Sequence, residues 1–322
     1  MDASYKKIDY RLKPAKSVER KMLLETINRL FYFDQLINYK YIGFGSVSFV
    51  DFELFHKNLG INKMISIEAK KEEAARFEFN KPYSFIEMRY DISTKVFESL
   101  DISTEPVIVW LDYDKNIQRY MFDDIDLVVP QLKSGSMYII TCNTSIDPDP
   151  IIKQKDKKVV RLKKFTDDFA NYVPIEVVES DLTPKNSHRV LRKMFINRIE
   201  EQLSECNKIR DENDKISFQQ LFNFIYNDSG ATMLTVGGIA YSNNDKEKLE
   251  QCCFNNLFYI KNHEEEYKID IPIVTPKEIQ LFNSSICLNQ EVCAAREVNS
   301  ILGNEYEKYK NLDRYFPKYA EI

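Results

Sequence analysis

The sequence predicts an α/β fold: a doubly wound, mostly parallel sheet with a helical insertion and a helical C-terminal tail. Three observations carry that expectation. PVIVWL (106–111) and MYIIT (137–141) are unbroken apolar runs, as expected of strands covered by helices on both faces. Segments of helical periodicity separate them. YIGFGS (41–46) places two glycines directly after a short apolar strand, where a doubly wound sheet puts its ligand.

In chain order, SVERKMLLETINRL (17–30) has helical spacing, with Ser17 as N-cap and Glu19 and Arg20 on the wet face. Tyr41-Ile42 ends a strand, a helix follows over roughly 49–59, and MISI (64–67) is the next strand. Residues 71–79 read as a helix, 83–88 as a strand and 123–132 as a helix between the two apolar runs. Beyond IDPDP (146–150) comes a basic run at 153–164, then helical segments near 185–208 and 216–227. MLTVGGIAYS (233–242) and LFYIK (257–261) form a closing hairpin. In IVTPKEIQLF, Thr275, Pro276 and Glu278 have the spacing of a capping box with proline at the first helical position. This divides the chain into residues 1–150, the N-terminal helices and ligand-binding half; 151–230, a mainly helical insertion; and 231–322, the last strands and a tail that packs on the body or on a partner.

Composition narrows the function classes. The 322 residues are 43% hydrophobic and 30% charged with a net charge of -5, so the whole surface does not advertise a polyanion as partner. No apolar stretch approaches the ~18–20 residues needed to cross a bilayer. The N-terminus lacks the apolar core of a secretory signal, and the six cysteines have no framework spacing. A cytoplasmic protein with reduced thiols is expected. Three histidines without metal spacing argue against a zinc hydrolase.

Chemistry concentrates at the strand ends. Glu68 closes the second strand, where an acid can accept hydrogen bonds from both hydroxyls of a ribose while Gly43 and Gly45 admit the backbone to the rest of a nucleoside. The turn is GxG without the third glycine, which suits a pyrophosphate poorly and a compact nucleoside such as S-adenosylmethionine better. Asp112 ends the PVIVWL strand, with Asp114 and Lys115 beyond it. Asp112 could bind a divalent cation, and Lys115, if buried, could take a proton from a hydroxyl; the alternative is a solvated turn. Asn143, in TCNTS, could offer an amide oxygen or make an Asn turn. Asp91, in MRYDIS, could meet an adenine edge or lie in an exposed loop.

These residues carry a resemblance. GFG, Glu68 and Asp112 together resemble a class I S-adenosylmethionine-dependent methyltransferase, and YIGFGS, DFELFH, ISIEAK, FEFNKPY and VWLDYD resemble a bacterial O-methyltransferase family over roughly residues 11–145. The resemblance implies a seven-stranded Rossmann-like sheet, a cofactor set of Tyr41, Gly43, Gly45, Ser46, Glu68 and Asp91, and catalytic residues among Asp112, Asp114 and Lys115. Asp112 and Lys115 also match the Asp-x-x-Lys of catechol-type, magnesium-dependent enzymes. Three positions depart from the pattern: Tyr41 stands where an acid is usual, Val47 takes the place of a third glycine, and Cys142 stands where a magnesium site needs a hard oxygen. The expectations are therefore an S-adenosylmethionine-dependent methyltransferase acting on an unidentified oxygen acceptor, with a divalent cation such as magnesium doubtful and no metal ligands assigned. A degraded binding subunit, whose tail meets a protein partner, comes second. A nucleic-acid methyltransferase using the basic run comes third.

Overall fold

The computed structural model describes residues 13–146, 157–228, 230–286 and 304–317. Its centre is an eight-stranded sheet. The strands are β1 (Lys40–Phe44), β2 (Lys63–Ile67), β3 (Ile86–Arg89), β4 (Val107–Asn116), β5 (Met137–Asn143), β6 (Ile216–Asp228), β7 (Ala231–Ser242) and β8 (Tyr267–Ile269). They lie in the order β3-β2-β1-β4-β5-β7-β6-β8. All neighbours are parallel except β7, which runs antiparallel to both β5 and β6. The order reverses between β1 and β4, which makes the carboxyl ends of those two strands the topological switch point.

Helices cover both faces. On one side lie α1 (Pro14–Asn28) and α2 (Val50–Leu59), over a core that includes Val18, Met22, Tyr41, Phe52, Phe55 and Trp110. α3 (Ala74–Asn80) adds Phe77 to that core. On the other side α4 (Ser93–Ser99), α5 (Tyr120–Val128), α6 (Lys157–Phe169) and α7 (Ser187–Asn207) enclose Val109, Leu111, Tyr138 and Cys142. α8 (Lys246–Gln251), α9 (Pro276–Ile286) and α10 (Glu305–Leu312) complete the described chain.

Most of the expected strands and helices of the first half are present. α2 closes at Gly60, whose left-handed backbone (φ 72°) returns its N–H to His56 O. The capping box of α9 forms as read: Glu278 accepts from Thr275 N at 2.6 Å, and Glu278 N donates to Thr275 Oγ1.

Four expectations are corrected. Ser17 lies inside α1, which starts at Pro14 without a side-chain cap. Glu19 and Arg20 are buried, not wet, because α1 lies flat against the sheet. Residues 216–227 form strand β6, not a helix: a bulge between Gln220 and Phe222 shifts the register and buries residues of both faces, which erases the strand's period of two. The closing hairpin is therefore β6–β7, and 257–261 is a turn beside it; the edge strand is β8, parallel to β6. That short strand makes the sheet eight-stranded. The IDPDP boundary falls outside the described residues apart from Ile146, as do Cys287, Cys293 and residues 153–156 of the basic run.

Candidate functional site

Strand parity assembles the site. Successive side chains alternate faces, so Tyr41 and Gly43, Ser66 and Glu68, Trp110 and Asp112, and Thr141 all point toward the α1–α2 side. The register pairs Phe44 with Ile67 and Gly43 with Trp110. Carried forward, it sets Gly45 between Glu68 on one side and Asp112 on the other.

At Gly45 the backbone makes a close approach. A Cβ there would run into Ser66 Oγ and lie 3.1 Å from Glu68 Oε1 and 3.3 Å from the Phe49 ring. The bend and the carboxyl at the tip of β2 thus meet. Ser66 Oγ and Glu68 Oε1 are both buried without a hydrogen-bond partner among the described residues, and an orphaned buried polar atom is costly unless something arrives to satisfy it. Burial, reinforced by the nearby Glu73 carboxylate, pushes the Glu68 carboxyl up to about 8. These residues fit a ribose: a carboxyl and a hydroxyl without partners, beside backbone with no side chain in the way.

At Gly43 the picture differs. A Cβ there would sit 2.5 Å from the hydroxyl of Tyr41, whose ring is buried between Phe52 and Phe55 at centroid distances of 4.9 and 4.8 Å. Tyr41 is thus a wall of the site. Ser46 folds back on its own loop, accepting from Ser48 N at 3.2 Å.

Asp112 is the visible end of a buried polar cluster. Its Oδ1 is 2.7 Å from Lys16 Nζ of α1, and Lys16 also reaches Glu19 at 2.6 Å and lies 4.5 Å over the Trp110 ring. Burial opposes the Lys16 charge, but Asp112 and Glu19 outweigh it and hold the ammonium above its ordinary range. Glu19 also accepts from Thr235 and from Tyr226 (3.1 Å), and Thr235 is 2.7 Å from Thr141. Arg20, one residue on, pairs with Asp51 in the first turn of α2.

Other expected site residues lie apart. Asp114 and Lys115 are exposed on the last residues of β4, so Lys115 lacks the burial its expected role requires. Asp91 is exposed and accepts from Ile92 N at 2.8 Å. Asn143 makes the local turn, accepting from Ser145 N at 2.8 Å. Cys142 points into the opposite core, and burial pushes its thiol up to about 12. No cluster of three or more His, Cys, Asp or Glu side chains suited to a metal ion occurs among the described residues.

Sequence reasoning missed Ser66, Lys16, Glu19, Arg20 and Asp51. The signal for the α1 residues was present: 16, 19 and 20 are an i, i+3, i+4 stripe, and Leu23 within that stripe and Val18 and Met22 beside it are fully buried.

A doubly wound sheet whose bare glycine bend after β1 is flanked by the Glu68 carboxyl at the tip of β2 and, across the switch point, by Asp112 of β4 is the arrangement of an α/β protein of the methyltransferase kind. The chain belongs to the family described as "Putative O-methyltransferase", whose profile matches residues 8–322. No curated protein sequence matches it significantly. Among solved structures it is similar to cofactor-bound Rv0187 from MTB (8% identity, 69% of this chain and 81% of that one, TM-score 0.35). It is also similar to the M1A22 tRNA methyltransferase TrmK of B. subtilis (8%, 91% and 97%, TM-score 0.34). A third is an O-methyltransferase family protein from Burkholderia thailandensis (11%, 68% and 55%, TM-score 0.32), of which the chain spans about half the length. Likenesses this distant carry no weight of their own; the strand order and the family match do. No helix among the described residues is long and apolar enough to cross a membrane.

Proposed function

We propose that this chain is an S-adenosylmethionine-dependent methyltransferase acting on an oxygen of a soluble acceptor in the cytoplasm. The observation that carries the reading is the pair of orphaned groups, Ser66 Oγ and Glu68 Oε1, turned onto the Gly45 backbone. The cofactor supplies an activated methyl on a sulfonium. The chain's own part is to position it and to remove the acceptor proton. Glu68, as a carboxylate, accepts the ribose hydroxyls; Gly43 and Gly45 admit the nucleoside to the backbone; Asp91 lies at the end of β3, toward the base. Of the three candidate groups on β4, Asp112 is tied to Lys16 and Lys115 is exposed. Asp114, exposed at the carboxyl edge and free of ion pairs among the described residues, is the proton acceptor this arrangement leaves. The Asp114→Asn variant is expected to keep cofactor affinity and lose methyl transfer; unchanged labelling of small molecules in a cell extract excludes the role.

Calorimetry with S-adenosylmethionine and its demethylated product tests the whole reading. Submillimolar binding is expected; folded protein that binds neither defeats it.

The Tyr41 ring against Gly43 favours a second reading, a binding subunit with a narrowed pocket. It gains support if Glu68→Ala abolishes cofactor binding and leaves every cellular role of the protein intact. A nucleic-acid acceptor ranks third; it predicts steeply salt-dependent RNA binding, lost on charge reversal within α6.

A further inference from the structure

On the α7 side of the sheet, away from the Gly45 bend, lies a second cleft that the nucleoside reading does not use. Its volume is about 630 Å³, the size of a small-molecule site. The first turns of α7 form one wall, the segment around Glu176 and Asp181 another, and Glu264, Glu265 and Glu266, which lead into β8, the third. That third wall is pinned to β6. The Asn223 amide, 1% exposed, donates to Glu264 O and Glu265 O at 3.0 and 2.9 Å, and the Gln220 amide donates to His263 O at 2.8 Å. β6 stands three places from β4 in the strand order, on the order of 14 Å across the sheet. The cleft is a separate site.

Its charges do not close on themselves. Arg189, Arg192 and Lys193 share one face of α7, at i, i+3 and i+4. Arg189 pairs with Glu266 at 3.2 Å, Lys193 with Glu176, and Glu265 with Lys261 at 3.0 Å. Arg192 is the exception. It is half-buried, and its one hydrogen bond among the described residues runs from Nε to the neutral Gln220 amide at 2.7 Å. Its two terminal nitrogens have no partner there, whereas Arg20 and Arg198 each lie on a carboxylate. Burial pulls the Arg192 guanidinium below its ordinary range, and Glu264 offsets this only in part. Behind the walls His188 Nε2 and Asn223 Oδ1 are also buried without a hydrogen-bond partner. Polar groups that serve only the fold are normally satisfied by it. Among the described residues Glu264 and Asp181 lack a cation, so a ligand that is only an anion meets excess negative charge around Arg192. A zwitterion answers both signs.

We propose that this cleft is a binding site for a free amino acid, whose carboxylate lies on the two terminal nitrogens of Arg192 and whose ammonium meets Glu264. The planar fork of a guanidinium takes a carboxylate through two parallel charge-assisted hydrogen bonds. Gln220, 5% exposed, holds both anchors in place: its oxygen fixes the Arg192 fork, and its amide nitrogen fixes the chain beside Glu264 through His263 O. The two walls are thus set at one spacing before any ligand arrives, which lowers the cost of binding. This site is independent of the nucleoside reading and stands if that reading fails.

Thermal melting of the full chain with the common amino acids, each added singly at millimolar concentration, is the first measurement. At least one is expected to raise the melting temperature, as a ligand of the native state does. Calorimetry then compares that amino acid with its carboxamide, which keeps only the ammonium, and with its N-acetyl form, which keeps only the carboxylate. Each derivative should bind about tenfold more weakly or worse, the loss of one charge-assisted contact. Arg192→Gln should weaken the amino acid and the N-acetyl form and leave the carboxamide unchanged; Glu264→Gln should weaken the amino acid and the carboxamide and leave the N-acetyl form unchanged. If Arg192→Gln does not fold, Arg192→Lys serves, since it keeps the charge, loses the fork and should weaken the same two ligands. S-Adenosylhomocysteine, which has an amino-acid end of its own, should not displace the amino acid, and its affinity should be the same in both variants. The proposal is overturned if no amino acid shifts the melting temperature, or if the carboxamide binds as well as its parent. It is overturned equally if a normally melting variant loses all three ligands alike, or if S-adenosylhomocysteine displaces the amino acid, which would put that ligand in the nucleoside site.

Discussion

Glu68 presents opposite demands to stability and to binding. Its folded pKa of about 8 lies well above the ordinary carboxyl value. Between the two values the folded protein holds a proton that the unfolded chain has released, so stability falls as pH rises from about 5 toward 8. A ribose wants the ionised form as acceptor, so affinity should rise over pH 6–8, by close to tenfold per unit well below the pKa, and level off above it. Glu68→Gln should flatten both curves: it should melt higher than wild type at pH 8.5, by less at pH 6 and nearly equally at about pH 4.5, and bind S-adenosylhomocysteine weakly throughout. A wild-type affinity independent of pH would remove the carboxylate from the site. At Gly45 a methyl group must displace Ser66 Oγ and crowd Glu68, so Gly45→Ala should cost at least tenfold in affinity. Adding Ser66→Ala should recover part of that, since neighbours that collide are not additive. Calorimetry on the single and the double variant reads it directly. Both glycines and Glu68 were legible in the sequence because strand ends in a doubly wound sheet are where such residues have meaning. Ser66 was not: a serine inside MISIE acquires a role only once the strand's parity and the Gly45 bend place it.

Among the elements, β6 and α1 show where pattern reading stops. β6 contains ISFQQLFNFIYND, whose apolar spacing fits a helix as well as a strand; the bulge at Gln220–Phe222 is what reconciles it with pairing along the whole of β7. The partner strand holds the clue in Gly237-Gly238, for a Cβ on Gly238 would strike the Gln219 carbonyl and lie 2.8 Å from Gln220 Cα. Gly238→Ala should therefore destabilise the protein by about 1–3 kcal/mol or more, as overpacking does, seen as a lower urea midpoint with an unchanged slope. An unaffected midpoint would mean the hairpin accommodates the methyl. α1 failed in a different way. Its charged stripe was assigned to solvent by the usual rule for charged helix faces, whereas the stripe here meets Asp112, Tyr226 and Thr235 of the sheet and Asp51 of α2. Partners on distant strands cannot be read from a helix alone.

At the scale of the whole molecule, the two ends of the described chain lock together along α1. α1 lies between the sheet and the C-terminal segment: Arg314 is 2.9 Å from Glu25, Tyr315 donates to the same carboxylate, and Lys21 reaches the Phe316 carbonyl at 3.1 Å. The Tyr315 ring enters the α1-side core against Tyr259, at a centroid distance of 5.7 Å. The tail therefore packs on the body, the first of the two alternatives open from sequence. That packing gives it a mechanical link to the ligand, because the helix it clamps carries Lys16 near its other end. Tyr315→Ala removes a buried ring and should destabilise by about 3 kcal/mol. More tellingly, it should loosen α1 before the sheet unfolds, so that hydrogen exchange quickens in residues 14–28 ahead of β1 and β4. Because Lys16 of α1 is paired with Asp112 beside the Gly45 bend, affinity for S-adenosylhomocysteine should then fall well below the melting temperature. A variant that exchanges and melts as a single unit, with its S-adenosylhomocysteine affinity unchanged until it melts, would show that the tail stabilises the domain without reaching the site through α1.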